Sequence, residues 1–209
     1  MVFEDRVDAG RQLAKALAAY RGRHPVVLAI PRGGVPLGRI VADALAGDLD
    51  VVLVRKLGAP YNPEFAVGSV GESGKVFVAD YAERAGADSR YIAEEADRQR
   101  ETIRRRRAQY NEVHDSVNLA GRTIIVVDDG LATGTTMCAA LQEVRACKPA
   151  RLICAVPVGS PEAIARVRPL CEAVVCLAIE SDFGGVGQFY RDFRQVEDEA
   201  VLSILKDNS

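Results

Sequence analysis

Two adjacent acids and a threonine-rich loop, placed directly after an apolar run, are the residues of this chain best suited to chemistry. Residues 123–127 read Thr-Ile-Ile-Val-Val, which is typical of a strand buried on both faces of a parallel sheet. Asp128 and Asp129 close the run, and the small residues of 130–136 lead into a predicted helix. Because ligands of open α/β sheets bind at the carboxyl ends of the strands, we predict a binding site at this loop.

The composition of the loop suits a phosphate group. Gly130 and Gly134 allow the backbone to turn tightly and to approach a ligand closely. Backbone N–H groups of the loop and of the first helical turn would point at an anion, with help from the helix dipole. Threonine hydroxyls can add donors, and the two carboxylates can accept hydrogen bonds from a sugar diol. The pattern predicts a ligand with a phosphate at one end and hydroxyls at the other.

Other interpretations of these residues fit less well. A Walker-type loop has a lysine before its threonine, whereas Gly134 stands there. A phosphatase-type acid pair needs both acids on one side, but adjacent strand residues point to opposite faces. Asp128 and Asp129 could also be ordinary turn and capping residues. We favour the ligand site because strand, acids, glycines and threonines all agree with it.

A second anion site is predicted where the first strand ends. Residues 26–30 form an apolar run, and Pro31–Gly34 (PRGG) leads from it into a predicted helix over 35–45. Glycines expose backbone N–H groups, and Arg32 carries a permanent charge suited to phosphate oxygens. Taken alone, this segment could be an ordinary strand-to-helix turn.

The two loops give the chain a specific family resemblance. The stretch Val126–Thr136 (VVDDGLATGTT) resembles the phosphoribosyl-pyrophosphate (PRPP) loop of type I phosphoribosyltransferases. The resemblance implies that the acid pair holds the ribose 2′- and 3′-hydroxyls and that residues 132–136 wrap the 5′-phosphate. The PRPP-binding residues implied here are Asp128, Asp129, Ala132, Thr133, Gly134, Thr135 and Thr136.

The pyrophosphate end is assigned by the same resemblance. Pro31–Gly34 resembles the pyrophosphate loop of the family, which often carries a strained cis peptide beside its basic residue. Arg55–Lys56 resembles an Arg-Lys pair that several members place nearby, although charges at strand ends are common on any surface. The resulting assignments are Arg32 and Lys56 for catalysis, and Gly33, Gly34 and Arg55 for PRPP binding.

The resemblance to the family is looser for the catalytic lid and for the acceptor site. Residues 57–63 carry turn chemistry and stand where the family has a flexible catalytic lid, with Glu64 after it as a candidate catalytic residue. Phe183 lies where some purine enzymes of the family stack a base, although it could equally belong to the core. The 6-oxopurine salvage enzymes carry an aspartate at the position of Ala132, which implies that such purines are poor acceptors here.

The predicted helix around residues 89–113 contains an arginine-rich stretch. Residues 98–107 include six arginines and one glutamate, and further acids lie three or four positions away. This spacing favours a solvated, ion-paired helix. We expect the helix not to reach the loops, so that reversing the charge of Arg104 and Arg106 leaves activity nearly intact. An RNA or polyphosphate patch is the alternative, although no aromatic residues interleave the arginines.

Length, charge and cysteine content narrow the number of domains, the binding partners and the cellular compartment that fit the chain. A chain of 209 residues suits one domain, and a net charge of −2 gives no overall attraction to nucleic acid or membranes. The acidic N-terminus lacks the apolar core of a secretory signal, and the apolar runs are strand-sized. Five cysteines without a CxxC pair favour a reducing cytoplasm, and two distant histidines argue against structural zinc.

We therefore predict an α/β, type I phosphoribosyltransferase-like fold over residues 1–209. It would have a five-stranded parallel core, helices on both faces, and a small hood built from the termini and residues 57–80. The resemblance implies Mg²⁺-dependent transfer of the ribosyl 5-phosphate of PRPP to a small nitrogenous acceptor, with no metal site made by protein side chains alone. A cytoplasmic homodimer is expected. The alternative is a regulator that senses PRPP or a nucleotide, with RNA binding through the arginine-rich helix and little turnover.

Overall fold

The structure is a computed structural model that describes residues 1–206, apart from the side chain of Glu64. The strands are β1 (Val26–Ala29), β2 (Asp48–Val51), β3 (Val54–Ala59), β4 (Asn62–Gly71), β5 (Val76–Val78), β6 (Thr123–Val127), β7 (Arg151–Gly159) and β8 (Ala173–Ile179). The helices are α1 (Arg6–Ala16), α2 (Gly34–Leu45), α3 (Ser89–Asn111), α4 (Thr135–Ala146), α5 (Pro161–Val167) and α6 (Asp198–Lys206). Within these residues, no helix is both long enough and apolar enough to cross a membrane.

The core is a five-stranded parallel sheet in the order β2-β1-β6-β7-β8, which confirms the predicted fold class. Alternate residues of β6 face opposite layers of the molecule, as strand geometry requires. Ile125 and Val127 pack in the layer that contains α1 and α2, whereas Ile124 and Val126 pack in the layer that contains α4 and α5. The chain order reverses direction between β1 and β6, so the loops that follow these strands lie at a topological switch point.

The second sheet is antiparallel, in the order β3-β4-β5, and it corrects two sequence-based expectations. The run 50–54 (DVVLV) by itself predicts one core strand, but β2 ends at Val51 and β3 begins at Val54 as part of the second sheet. Residues 57–63, which were predicted to form a turn-rich loop, lie mostly in a β-hairpin, and their role as a lid stays a prediction. The pairing of the hairpin shifts register around Gly58, and this irregularity accommodates turn-forming residues within a strand.

The long helix α3 holds the antiparallel sheet and β2 in place. Arg107 is largely buried, and its guanidinium donates to Asp50 Oδ1 (3.0 Å), to both oxygens of Glu72 (2.6 and 2.8 Å) and to the carbonyl of Val51 (2.7 Å). The more exposed Arg98, Arg100 and Arg104 pair with acids three residues earlier. The solvated, ion-paired description therefore holds for part of the arginine-rich stretch, while Arg107 anchors the helix.

The two ends of the described chain meet beside the sheet. Phe3 forms a parallel bridge with Tyr190, its N–H donates to the carbonyl of Phe189 (2.8 Å), and its ring lies 5.4 Å from the ring of Tyr190. This pairing brings α1 and the segment that precedes α6 close to the end of β6. The hood that we predicted from the termini and residues 57–80 stays a prediction.

Candidate active site

The loops that follow β1 and β6 are in direct contact. The N–H of Ile30 donates to the carbonyl of Val127 (2.9 Å), and the peptide between Pro31 and Arg32 is cis, at the place that the resemblance implied. A Cβ on Gly34 would lie 2.7 Å from the Val127 carbonyl oxygen, and one on Gly33 would collide with the Asp129 carboxylate. Because any larger residue would separate the loops, these two positions require glycine.

The acid pair lies in a partly buried position at the end of β6. Asp128 Oδ1 accepts a hydrogen bond from the N–H of Asp129 (2.9 Å). Burial raises the pKa of Asp128 well above its ordinary value, and the neighbouring charge of Asp129 raises it further. Burial also raises the pKa of Asp129, although Arg6 opposes this shift. Donors on a bound ligand would favour the ionised form of both groups.

Arg6, which sequence reasoning missed, is the charge partner of Asp129. Its Nε and Nη2 donate to Asp129 Oδ2 at 3.0 and 2.9 Å, and its Nη1 donates to the carbonyl of Arg194 (2.7 Å). The guanidinium also lies 3.9 Å above the ring of Phe193. Tyr190 completes the surroundings, since its hydroxyl donates to the Asp129 carbonyl (2.7 Å). Nothing in the sequence around Arg6 indicates a partner 123 positions away.

The threonine loop turns sharply into α4. Gly134 has φ +75°, and α4 begins at Thr135, so the N–H groups of the first turn lack acceptors within the helix. The hydroxyls of Thr133 and Thr135 lie 3.2 Å apart. The Ser160 hydroxyl donates to the carbonyl of Ala132 (2.8 Å), and the Arg166 guanidinium donates to the carbonyl of Thr133 (3.2 Å). These hydrogen bonds hold the loop backbone in place. Ala132, Thr133 and Thr136 are exposed. The arrangement can receive an anion.

The other predicted residues have different surroundings. Arg32 faces the start of α6, where its Nη1 lies 3.6 Å from Asp198 Oδ2 and 3.8 Å from Glu197 Oε2. Arg55 and Lys56 lie at the start of β3 rather than at the end of a core strand, and Arg55 donates to the Gln99 side chain (3.0 Å). The backbone of Glu64 belongs to β4, but its side chain is outside the described part of the structure.

Phe183, the predicted acceptor contact, packs against another aromatic residue. Its ring centroid lies 4.8 Å from that of Phe189 at an interplanar angle of 46°, and the side chain is partly buried against the core. This contact favours the core interpretation that the sequence left open.

Comparisons with known proteins are consistent with this geometry. The chain is 42% identical over 205 residues to two Mycobacterium tuberculosis proteins named "Putative phosphoribosyl transferase MT0597" (strain CDC 1551 / Oshkosh) and "Putative phosphoribosyl transferase Rv0571c" (strain ATCC 25618 / H37Rv). The match covers 98% of this chain but only 46% of each relative, so the chain spans about half of their length.

A solved structure and a family model cover nearly the whole chain. The crystal structure of TT1426 from Thermus thermophilus superposes with a TM-score of 0.88 at 49% identity, covering 99% of both chains. The model of the "Phosphoribosyl transferase domain" matches residues 4–194, a range that includes Arg6, both loops and the acid pair. On this evidence the chain belongs to the phosphoribosyl transferase domain family.

Proposed function

We propose that this chain transfers the ribosyl 5-phosphate group of PRPP to a small nitrogenous acceptor and releases pyrophosphate. The observation that carries the proposal is the contact between the cis-peptide loop after β1 and the acid pair after β6. Together with the threonine loop, this contact would give an anion site, a diol-binding pair of carboxylates and a second anion site at one switch point. A ligand with a phosphate, a ribose and a pyrophosphate matches that order.

Each part of the ligand has a matching group. The N–H groups at the start of α4 and the hydroxyls of Thr133 and Thr135 would bind the 5′-phosphate. Asp128 and Asp129 would accept hydrogen bonds from the ribose hydroxyls. The backbone after the cis peptide would bind the pyrophosphate, with Arg32 beside it.

Mg²⁺ would bind mainly through the ligand. The described residues contain no group of three or more His, Cys, Asp or Glu side chains that could hold a metal. Two adjacent carboxylates fit an ion that takes one or two protein carboxylates and otherwise binds phosphate oxygens and water. Asp128 and Asp129 are the residues that would hold it, through the ribose hydroxyls. When bound, the ion would neutralise part of the charge on the pyrophosphate.

The protein itself would act by positioning and by electrostatics. As the bond between the ribose C1 and the pyrophosphate oxygen breaks, negative charge grows on the leaving group and positive charge grows on the ring. Arg32 and Lys56 are the proposed cationic groups for the leaving group. The acid pair would fix the ribose so that the acceptor nitrogen can attack C1, because holding the reactants in place removes much of the entropic barrier.

The test is release of pyrophosphate from Mg-PRPP in the presence of a panel of nucleobases and amines. Acceptor-dependent release that falls in an Asp128→Asn variant would support the proposal. Tight binding of Mg-PRPP, with no release of pyrophosphate in the presence of any acceptor of the panel, would instead favour a regulator that senses PRPP. Absence of both binding and release would contradict a PRPP-linked function.

The acids at the start of α6 give a further prediction for this site. Glu197 and Asp198 face Arg32, so a pyrophosphate group would have to displace them. We expect the double variant Glu197→Gln/Asp198→Asn to bind Mg-PRPP up to about fivefold more tightly, because exposed ion pairs contribute about 0–1 kcal/mol. Calorimetric titration would measure the change, with Glu199→Gln as the control on the same helix. Equal or weaker binding by the double variant would show that the acids do not compete.

A further inference from the structure

A small cavity lies between the arginine-rich helix and the candidate active site. Its volume is about 60 Å³, and its walls combine Pro31 from the loop after β1, Arg55 from β3, Thr136 from α4, and Ile103 and Arg106 from α3. A single water needs about 10–15 Å³ of such space, so the cavity has room for several waters or one tetrahedral anion. The expectation that α3 does not reach the loops was therefore wrong for Arg106.

Arg106 combines partial burial with the lack of an acidic partner. Arg104 pairs with Glu101, and Arg107 is held by Asp50 and Glu72. Among the described side chains, by contrast, no acid forms an ion pair or hydrogen bond with Arg106, which is half-buried, whereas Arg105 is exposed to solvent. A guanidinium group that lies beside a cavity without an acidic partner is suited to binding an anionic ligand.

The charge of Arg106 is also close to a second cation. Burial lowers the pKa of Arg55, and the positive charge of Arg106 lowers it further, while the charge of Glu95 opposes the shift. The hydrogen-bond partner of Arg55 is the neutral side chain of Gln99. Two arginines thus line one cavity, and their mutual repulsion would be relieved by an anion between them.

An unsatisfied buried hydroxyl lies in the same region. Tyr110, one helical turn after Arg106, is 3% exposed, and its hydroxyl has no hydrogen-bond partner among the described residues. Burial raises the pKa of Tyr110, and the charges that act on it are those of Arg106, Asp198, Arg32 and Arg107. A buried hydroxyl without a protein partner is uncommon, and this one can still donate or accept a hydrogen bond.

We propose that Arg106 and Arg55 form an additional anion subsite that binds oxygens of the pyrophosphate group, next to Pro31 of the loop after β1. This inference rests on the proposed function, since it extends the same ligand site. The planar fork of an arginine matches two phosphate oxygens at once, and two such forks in one cavity would hold the group more tightly than the loop backbone alone. Helix α3 then contributes to ligand binding as well as to the scaffold.

The test compares Arg106→Gln with Arg105→Gln, which removes the same charge from an exposed neighbour on the same helix. Calorimetric titration with Mg-pyrophosphate and with Mg-PRPP is expected to show about tenfold weaker binding of both ligands by Arg106→Gln. The Arg105→Gln control is expected to stay within about twofold of the unmodified chain. The melting temperature of ligand-free Arg106→Gln should not fall, because the substitution removes one of two repelling charges.

The outcomes separate this subsite from the proposed function. Equal affinities of the Arg106→Gln and Arg105→Gln variants for both ligands would overturn the subsite and leave phosphoribosyl transfer intact. Loss of affinity only in Arg106→Gln, in a chain that binds PRPP without releasing pyrophosphate, would support the subsite and overturn the transferase proposal. Failure of the unmodified chain to bind either ligand would overturn both.

Discussion

Asp128→Asn and Asp129→Asn should each weaken the binding of Mg-PRPP by about 1.5–3 kcal/mol, which is roughly 10- to 150-fold in affinity. Both carboxylates end a buried strand and face the loop contact rather than the core. An amide keeps the shape of the side chain but loses the charge that strengthens hydrogen bonds from the ribose hydroxyls. Binding should therefore suffer more than packing.

The two substitutions should differ in their effect on folding. Asp129 is the partner of the largely buried Arg6, so Asp129→Asn leaves a cation without its counter-charge and should lower the melting temperature. Among the described residues Asp128 forms no ion pair, and burial and the charge of Asp129 raise its pKa more than the charge of Arg6 lowers it. Asp128→Asn should consequently leave the stability unchanged or slightly higher. Arg6→Gln is the matched comparison, because it removes the cation that lowers the pKa of both acids without altering either of them.

The pH dependence supplies an independent readout for Asp128. Its folded-state pKa is raised, so the folded state binds more protons than the unfolded state between the ordinary and the raised pKa. The ligand-free protein should therefore lose stability as the pH rises through that window, and Asp128→Asn should remove this loss. Affinity for Mg-PRPP should rise with pH over the same window, because the ligand donors favour the ionised acid. Unchanged affinity in both aspartate variants would contradict the assignment of the pair.

Local sequence signals were sufficient to predict the parallel core and the place of the acid pair at the edge of the sheet. The β-branched run at 123–127 is a buried strand whose alternate residues face both helical layers, and its two closing acids had to lie at the carboxyl edge of the sheet. The glycines of the PRGG segment were predicted to expose backbone N–H groups to a ligand. The structure adds a contact that was not predicted, since Gly33 and Gly34 lie against the end of β6.

Contacts between distant segments could not be predicted in the same way. Arg6 reaches Asp129 because the two ends of the chain pair beside the sheet, and no local pattern encodes that pairing. Helical spacing correctly indicated ion pairs for Arg104, but it cannot distinguish the face of α3 that meets solvent from the one that meets the cavity. Residues 57–63 were expected to be a loop because turn-forming residues also occur where a strand pairing is irregular. Their role as a catalytic lid stays a prediction.

Hypoxanthine and guanine should be poor acceptors, with kcat/KM about 10²–10⁴-fold below that of the preferred acceptor. By resemblance, the 6-oxopurine salvage enzymes place an aspartate at the position of Ala132, where it exchanges a proton with the purine ring nitrogen. A methyl group can neither donate nor accept a proton. The preferred acceptor should therefore be nucleophilic already or be deprotonated by another group.

The measurement is kcat/KM for hypoxanthine, guanine, adenine, uracil and orotate at saturating Mg-PRPP, in the unmodified chain and in Ala132→Asp. The position can accept the change, because Ala132 is exposed and contributes only its carbonyl to the loop, as the acceptor for Ser160. An aspartate there should raise activity with the two 6-oxopurines and leave affinity for Mg-PRPP nearly unchanged. Ala132→Asn, which has the same size but cannot take up a proton, should give no such gain. Efficient turnover of hypoxanthine or guanine by the unmodified chain would show that Ala132 does not exclude them. An equal gain in activity in Ala132→Asp and Ala132→Asn would assign the effect to the shape of the side chain rather than to proton transfer.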